Sequence, residues 1–353
     1  MKPAVSFDLH TWMRPHLRQL KPYSSARDEF SGQAEVFLDA NENALGSTGG
    51  GDFHRYPDPY ARAIKAKLAP MLGVGESHIF LGNGSDEPID LLIRAFCNPG
   101  KEEILIVPPT YGMYRVSADI NAVAVREVPL TADFQLDVPA ILAAISPTTK
   151  LLFLCSPNNP TGNCLRESAV EAVLYQFPGV VVMDEAYVDF AKTQNWLRRL
   201  EEFPNLVVLR TFSKAWGLAG LRVGMAFGQA ALIDLLNQIK PPYNLNLLSQ
   251  QAVGKALDRQ AEKEAKVQLI LEEKNTLLSQ LTDLPFVEKV FPSEANFLLV
   301  RVDEPQVRYH QLLKEQIIVR DRSRVLLCEN CLRITIGSPD ENQRLLSVLQ
   351  SLS

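Results

Sequence analysis

The chain has 353 residues, of which 46% are hydrophobic and 22% charged, and its formal net charge is -5. These values are typical of a globular protein and exclude a collagen-like, disordered or coiled-coil chain. The acidic balance offers no general attraction for nucleic acid or for an anionic lipid surface. The sequence therefore predicts that any anionic ligand is held by a local site.

The cysteine count and the hydrophobic pattern indicate a compartment. Five cysteines are too few and too scattered for a secreted disulfide framework. The N-terminal residues lack the apolar run of a signal peptide, and no stretch is long and uncharged enough to span a bilayer. We therefore expect a cytoplasmic protein with no membrane partner.

Short β-branched runs alternate with longer helical stretches between about residues 35 and 228. This alternation is typical of a mainly parallel sheet with helices on both faces. Seven runs are predicted as strands, at residues 78–81, 103–107, 122–128, 151–155, 180–183, 206–209 and 223–227. Functional groups of such sheets lie beyond the carboxyl ends of the strands, so those positions are considered first.

The pattern changes beyond residue 240. We expect a long helical region near residues 247–281, followed by strands at 297–302, 317–320 and 332–336. The sequence thus predicts an α/β protein with a large domain, containing a seven-stranded mainly parallel sheet, and a smaller C-terminal α/β domain. Three units are predicted. Residues 1–34 form an N-terminal arm that packs with the small domain, residues 35–245 form the large domain, and residues 246–353 form the small domain.

Ser213 and Lys214 follow one of these strands, within the segment LRTFSKAWGLAGLRVG at residues 209–224. A lysine among small and aromatic neighbours is partly desolvated, which favours the neutral, nucleophilic amine that Schiff-base chemistry requires. The alternative is a solvated surface lysine, the usual state of this residue.

Asp184 follows the apolar run 180–183, and Tyr187 comes three positions later. A carboxylate at the end of a buried strand is costly unless a cation or a strong donor faces it. The protonated ring nitrogen of pyridoxal phosphate is such a cation, and an acidic partner keeps that ring an effective electron sink. The alternative is an aspartate that caps the next helix.

Two glycine- and proline-containing turns complete the predicted site. In LGNGSDEPID, residues 81–90, Gly84, Ser85 and Asp86 lie near the amino end of a helix, where free N–H groups form an anion site. In CSPNNPTG, residues 155–162, a turn presents the amide of Asn159 to the same edge. Helix capping by Asp86 and turn chemistry at Asn159 are the alternatives.

These segments, in this order and spacing, resemble the fold type I pyridoxal-phosphate aminotransferases over residues 23–337. The resemblance implies that Lys214 forms the Schiff base with the cofactor and carries the proton, that Asp184 pairs with the ring nitrogen, and that Tyr187 completes the catalytic set. It also implies cofactor contacts to the ring from Tyr111 in PPTYGMY, Asn159 and Tyr187, and to the phosphate from Gly84, Ser85, Ser213 and Arg222. Asp86 is a further predicted cofactor-binding residue.

The resemblance also implies a homodimer. In dimers of this family, a tyrosine of the RYPDPY type, here Tyr56, reaches the cofactor phosphate of the neighbouring subunit. The site is then completed by two copies of the chain, with no nucleic acid among the partners.

Within the family, six segments resemble the histidinol-phosphate aminotransferases: KPYSSAR, LDANEN, RYPDPY, PSEANF and the arginine-bearing IIVRD and CLRITIG. The resemblance implies transamination between L-histidinol phosphate and 2-oxoglutarate. It assigns the substrate to Arg333 and Arg320, whose guanidinium forks accept a phosphate or a carboxylate, with further contacts from Tyr23, Tyr56 and Asn159. Arg322 and Arg324 are interpreted as solvated charges, although Arg322 is close enough to compete for the phosphate.

The sequence leaves two alternative functions. An aromatic amino acid aminotransferase or a threonine-phosphate decarboxylase of the same fold shares the lysine and the aspartate. A non-catalytic regulator that retains pyridoxal phosphate is disfavoured, because the chain has no attached helix-turn-helix domain and keeps the catalytic side chains. Cys328 and Cys331 form a C-x-x-C pair without a second ligand pair, so no metal is predicted.

Overall fold

The structure is a computed structural model and describes residues 6–21, 23, 35–192 and 195–352. The helices in these ranges are α1 (Leu9–Trp12), α2 (Arg62–Leu72), α3 (Asp86–Phe96), α4 (Met113–Ile120), α5 (Val138–Ala144), α6 (Glu167–Gln176), α7 (Ala230–Ile239), α8 (Leu247–Leu257), α9 (Gln260–Thr282), α10 (Pro305–Lys314) and α11 (Pro339–Ser351). Short 3-10 helices occur at Pro15–Gln19, Glu76–His78, Val188–Phe190, Trp196–Arg199 and Ala219–Leu221.

The larger sheet has seven strands in the order β1-β7-β6-β5-β4-β2-β3. Its strands are β1 (Ile79–Asn83), β2 (Glu103–Ile106), β3 (Ala124–Glu127), β4 (Thr149–Cys155), β5 (Val180–Asp184), β6 (Leu206–Thr211) and β7 (Val223–Phe227). Strand β7 is antiparallel to both of its neighbours, and the other pairs are parallel. The prediction of an α/β fold with a seven-stranded, mainly parallel sheet is therefore confirmed.

The central strands are apolar along their length because helices cover both faces of this sheet. Val181 and Met183 of β5 belong to the apolar cluster on one face, whereas Val180 and Val182 belong to the cluster on the other. Every residue of β5 is buried, including the terminal Asp184. The fold thus carries a carboxylate to the end of a strand from which water is excluded.

A second sheet, in the order β10-β11-β9-β8, is antiparallel throughout. It consists of β8 (Val287–Val290), β9 (Phe297–Val302), β10 (Arg320–Asp321) and β11 (Cys331–Thr335), with α9, α10 and α11 packed against it. Strand β8 was not predicted, because it is an edge strand whose central Glu288 and Lys289 are exposed. The expected long helix is divided at Asp258 and Arg259 into α8 and α9.

The described part of the N-terminal arm packs on the larger sheet. Met13 and Leu17 are buried in the same cluster as Ile93 and Phe96 of α3, and the N–H of Arg14 donates to the carbonyl of Ala95 at 2.8 Å. This differs from the expected packing with the small domain. The apolar side chains Met13 and Leu17 are buried against apolar side chains of α3 instead. Residues 1–5, 22 and 24–34 of the arm, which include most of KPYSSAR, lie outside the described residues. The domain boundaries stay a prediction.

A buried ion pair lies directly after β5. The Glu185 side chain has no solvent exposure, and its Oε2 accepts Nε and Nη2 of Arg210 at 2.9 and 2.6 Å. Its Oε1 accepts the backbone N–H of Trp196 at 2.5 Å. Because a buried charge that loses its partner is strongly destabilising, this pair holds the loop after Asp184 in place.

We expect Arg210→Met to lower the free energy of unfolding by about 3–5 kcal/mol, because Glu185 is left buried without a cation. Urea denaturation measures the loss. The exposed pair of Arg166 and Asp133 supplies the control, since Arg166→Met should cost less than about 1 kcal/mol. Equal losses in the two variants would show that the buried pair does not stabilise the loop.

The same variant has a defined pH dependence. Burial raises the pKa of Glu185, and the charge of Arg210 opposes that rise. Without Arg210, the Glu185 carboxyl group of the native state keeps its proton, whereas in the unfolded state it loses that proton above about pH 4.3. The free energy of unfolding of the variant therefore falls as the pH increases. We expect the loss to be smaller near about pH 5 than near about pH 8.

Candidate active site

The carboxyl ends of β4, β5 and β6 meet at a cavity. Cys155 pairs with Asp184 across β4 and β5, and Asp184 pairs with Leu209 of β6, so the carboxylate lies between two strand ends. We call this space the carboxylate cavity; its lining includes Ser85, Asp86, Tyr111, Cys155, Asn159, Asp184, Tyr187, Thr211, Ser213, Lys214 and Arg222. Residues predicted from four separate segments are thus brought together.

Asp184 is 4% exposed, and each of its carboxylate oxygens accepts a hydrogen bond. Tyr114 donates its hydroxyl to Oδ2 at 2.7 Å, and the N–H of Ala186 donates to Oδ1 at 3.0 Å. Burial raises the pKa of Asp184, while these two donors and the charge of Lys214 act in the opposite direction. The cavity therefore has a carboxylate on its wall that a cationic ligand group stabilises.

Lys214 lines the open side of the cavity and is exposed there. The surrounding protein still desolvates the amine, which lowers its pKa, and the charges of Arg333 and Arg222 lower it further. Asp184 and Asp86 oppose these effects. The arrangement increases the fraction of neutral amine, the form that attacks a carbonyl carbon.

Two tyrosines frame the cavity above the sheet. Lys214 Nζ lies 5.6 Å from the centroid of the Tyr187 ring, and Tyr111 donates its hydroxyl to Oδ1 of Asp86 at 3.1 Å. Burial raises the pKa of both tyrosines well above the usual range. Both remain protonated near neutral pH and can therefore donate hydrogen bonds.

An anion cradle forms where β1 turns into α3. The N–H of Gly84 donates to the carbonyl of Arg222 at 2.7 Å, and Ser85 Oγ donates to the carbonyl of Arg210 at 3.1 Å. Gly84 has a φ of +74°, and a Cβ built on it would lie 2.7 Å from Nη2 of Arg222. A Cβ on Gly224 would lie 2.3 Å from the N atom of Ser85. Only glycine at these two positions allows β7 and Arg222 to come this close to the turn. The first N–H groups of α3 and the Arg222 guanidinium therefore lie next to each other.

A second space, the arginine cavity, adjoins the first. Arg320 and Arg333 are paired across β10 and β11, and Arg322 follows β10. The lining of this cavity includes Thr110, Tyr111, Asn159, Tyr187, Lys214, Arg320, Arg322 and Arg333. Arg322 is half-buried here, so its interpretation as a solvated charge is wrong; Arg324 is exposed.

Arg333 lines the arginine cavity and bonds a residue that lines both cavities. Its Nη1 donates to Oδ1 of Asn159, while its Nε is buried without a hydrogen-bond partner. Burial lowers the pKa of Arg333, and Arg320 lowers it further. Three guanidinium groups in one cavity repel each other, and a di-anionic ligand group relieves that repulsion.

Two predicted residues lie outside both cavities. Tyr56 stacks on Tyr243, with ring centroids 4.4 Å apart, and lines a separate surface cavity with Phe53 and Leu248. Tyr23 is 70% exposed. Neither residue reaches Lys214 within one chain. Sequence reasoning also missed Tyr114, whose only signal was its position three residues after Tyr111.

These groups fit pyridoxal phosphate. The close approach at Gly84 and Gly224 places the start of α3 beside Arg222, Asp184 is a buried carboxylate on the cavity wall, and Lys214 is a desolvated amine that lines the same cavity. Among the described residues, no three His, Cys, Asp or Glu side chains are grouped as metal ligands, and no helix there is long and apolar enough to cross a membrane.

The fold and this site define a pyridoxal-phosphate enzyme of fold type I. The family model of class I and II aminotransferases matches residues 28–349, so the chain belongs to the aminotransferase class I and II family. A histidinol-phosphate aminotransferase from Cytophaga hutchinsonii is 52% identical over 347 residues, which cover 98% of this chain and 100% of that protein.

Solved structures show the same fold. Histidinol-phosphate aminotransferase from Sinorhizobium meliloti, solved in complex with pyridoxal-5'-phosphate, is 24% identical with a TM-score of 0.79, covering 89% of this chain and 90% of that one. L-threonine-O-3-phosphate decarboxylase from Porphyromonas gingivalis is 25% identical with a TM-score of 0.71, covering 84% and 93%. The fold alone therefore does not distinguish transamination from decarboxylation.

Proposed function

We propose that this protein is a histidinol-phosphate aminotransferase, which transfers the amino group between L-histidinol phosphate and 2-oxoglutarate to give imidazole-acetol phosphate and L-glutamate. One observation supports this proposal above the others: the carboxylate cavity and the arginine cavity share a wall. Tyr111, Asn159, Tyr187 and Lys214 line both spaces. A substrate carbon between them lies next to the amine, while the substrate's own anion extends to the arginines.

The carboxylate cavity holds pyridoxal phosphate in this proposal. When bound, the cofactor supplies an electron sink that stabilises negative charge on the substrate carbon. Asp184 would pair with the ring nitrogen, Tyr111 would stack on the ring, and Asn159 and Tyr187 would contact the ring hydroxyl, since all four line this cavity. Gly84, Ser85, Ser213 and Arg222 would hold the phosphate, which the N–H groups of α3 and the guanidinium attract, and Asp86 would complete the cofactor site.

Lys214 carries the proton in this mechanism. Its amine is desolvated and lies beside two arginines, so a neutral fraction is available to accept a proton from a substrate carbon. Because Lys214 lines both cavities, it could pass that proton from the substrate carbon to the C4' carbon of the cofactor without leaving the wall. The protonated Tyr187 hydroxyl beside it can donate a hydrogen bond but is a poor base near neutral pH.

The arginine cavity selects the substrate. Arg333, Arg320 and the half-buried Arg322 surround a phosphate group in this proposal, because all three line the cavity. In the second half-reaction, a carboxylate of 2-oxoglutarate replaces the phosphate, since the guanidinium fork accepts either anion. Asn159 orients Arg333 through their hydrogen bond.

The active form is a homodimer in this proposal. Phe53, Tyr56 and Leu248 line one surface cavity although they are 51%, 51% and 58% exposed. Such a patch is suited to burial against a second copy of the chain. Tyr56 then reaches the partner's cofactor phosphate and substrate, and Tyr23 adds a substrate contact. All five cysteines are free thiols, which suits the reducing cytoplasm that we propose as its location.

The direct test is an assay of the purified protein with histidinol phosphate and 2-oxoglutarate. We expect stoichiometric release of glutamate and ping-pong kinetics, because both substrates use one site in turn. Phenylalanine and threonine phosphate are the comparison substrates. Faster turnover of phenylalanine, or release of carbon dioxide from threonine phosphate, would overturn the substrate assignment.

We expect Lys214→Ala to bind pyridoxal phosphate without covalent attachment and to lose transamination, because no other amine lines the carboxylate cavity among the described residues. Borohydride reduction followed by intact-mass measurement detects the attached cofactor. Lys314→Ala, at the exposed end of α10, is the matched control and should retain both attachment and turnover. Attachment to the Lys214→Ala protein would remove this lysine from the mechanism.

We expect Arg333→Ala and Arg320→Ala each to lower kcat/KM for histidinol phosphate by about 10- to 100-fold, because each removes charge-assisted hydrogen bonds. Unphosphorylated histidinol should be affected less by Arg320→Ala. Arg322→Ala tests the third guanidinium, and Arg324→Ala, which is exposed outside the cavity, is the control. Unchanged kinetics in the first two variants would contradict the phosphate site.

A further inference from the structure

Tyr114 lies beneath the carboxylate cavity and does not line it. Its side chain has no solvent exposure, and its hydroxyl donates to Oδ2 of Asp184 at 2.7 Å across 70 residues of sequence. This is the one side-chain donor to Asp184 in the described part of the chain, since the other donor is the backbone N–H of Ala186. Tyr114 has no part in the proposed binding of the cofactor or substrate.

The Tyr114 ring is held in one position. It stacks on Phe153 of β4, with centroids 4.7 Å apart and an interplanar angle of 20°. It also meets Tyr111 edge to face, at 5.6 Å and 84°. Tyr114 lies in the first turn of α4, three residues after Tyr111. One short segment therefore places one tyrosine on the cavity wall and another behind that wall.

We propose that Tyr114 is a positioning residue, which orients the Asp184 carboxylate and keeps it ionised for the ring nitrogen of pyridoxal phosphate. The geometry supports this role. Each carboxylate oxygen has one protein donor, so the carboxylate cannot rotate without breaking a buried hydrogen bond. The remaining lone pairs are left for a cation in the cavity.

A tyrosine is suited to this position because it donates without adding charge. Burial and the Asp184 charge raise the pKa of Tyr114 far above its usual value, so the hydroxyl keeps its proton. A lysine or arginine here would neutralise Asp184 from below and weaken its attraction for a cation above. A phenylalanine would leave Oδ2 unpartnered, and the buried carboxyl group would then protonate more readily.

This inference rests on the proposed cofactor site, and its test compares two ligands. Pyridoxal phosphate and its 1-deaza analogue differ in the ring nitrogen, so the ratio of their dissociation constants from the full-length apoprotein, measured by equilibrium dialysis, reports the Asp184 contact. We expect Tyr114→Phe to reduce the preference for pyridoxal phosphate about tenfold, through weaker binding of pyridoxal phosphate alone.

A spectroscopic readout accompanies the binding ratio. With cofactor labelled with ¹⁵N in the ring, the nitrogen chemical shift distinguishes the protonated from the unprotonated ring. We expect the shift in Tyr114→Phe to move toward the unprotonated value at a given pH, because the carboxylate that favours the proton is less ionised. A purely structural role for Tyr114 would not change this shift.

Three variants separate positioning from packing. In an Asp184→Asn background, Tyr114→Phe should change the ligand ratio by less than about twofold, since the two residues act as a unit. Phe153→Leu loosens the ring contact but keeps the hydroxyl, so it should lower thermal stability and change the ratio much less than Tyr114→Phe does. Tyr309→Phe, in α10 of the small domain, is the matched control for loss of a hydroxyl.

The outcomes distinguish this inference from the proposed function. A wild-type protein that binds both ligands equally overturns the Asp184 assignment and the role of Tyr114 together. A wild-type preference that survives Tyr114→Phe overturns the role of Tyr114 alone. The same conclusion follows if Phe153→Leu reduces the preference as much as Tyr114→Phe does.

Discussion

The charge of Asp184 at the end of β5 is the constraint around which the site is organised. A carboxylate that is 4% exposed is costly unless donors and a cation surround it. The fold supplies two donors, from Tyr114 and from the backbone of Ala186, and leaves one side facing the cavity. Because β5 is a central parallel strand, the elements after β1, β4 and β6 converge on the same edge and provide the remaining groups.

The substrate side of the site depends on how the second sheet meets the first. Lys274 of α9 donates to the carbonyls of Ser293 and Ala295 at 2.8 and 2.9 Å, and the N–H of Glu294 donates to the carbonyl of Gly162 at 2.7 Å. A Cβ on Gly162 would lie 2.5 Å from Oγ of Ser293, so the contact requires glycine. These contacts fix PSEANF against the turn that carries Asn159. Arg333, in the same small sheet, is thereby held close enough to bond that asparagine.

The sequence was sufficient to predict the parallel strands and the residues that follow them, because burial on both faces requires continuous apolar runs and polar residues at their ends are conspicuous. Strand β8 could not be predicted, since VEKV at an edge needs only one apolar face. The role of Tyr114 depends on α4 being brought to β5, and an aromatic residue in a helix is otherwise indistinguishable from a core residue. Arg322 was misinterpreted because it is half-buried by residues distant in sequence that line the same cavity, and no local sequence pattern indicates such burial.

The acidic net charge and a local anion site are compatible because a few of the 36 basic side chains line the two cavities. Arg222 lies at the cradle, and Arg320, Arg322 and Arg333 lie in the second cavity. Between them, Lys214 has its pKa lowered by burial first and by Arg333 and Arg222 next. An anion bound to Arg333 or Arg222 offsets the effect of that arginine on the pKa of Lys214. Binding of anions in the two cavities therefore raises the pKa of Lys214 again in part. Desolvation does not depend on those charges, so in the proposed mechanism it is the part of the pKa shift that persists when anions fill both cavities and Lys214 has to release its proton.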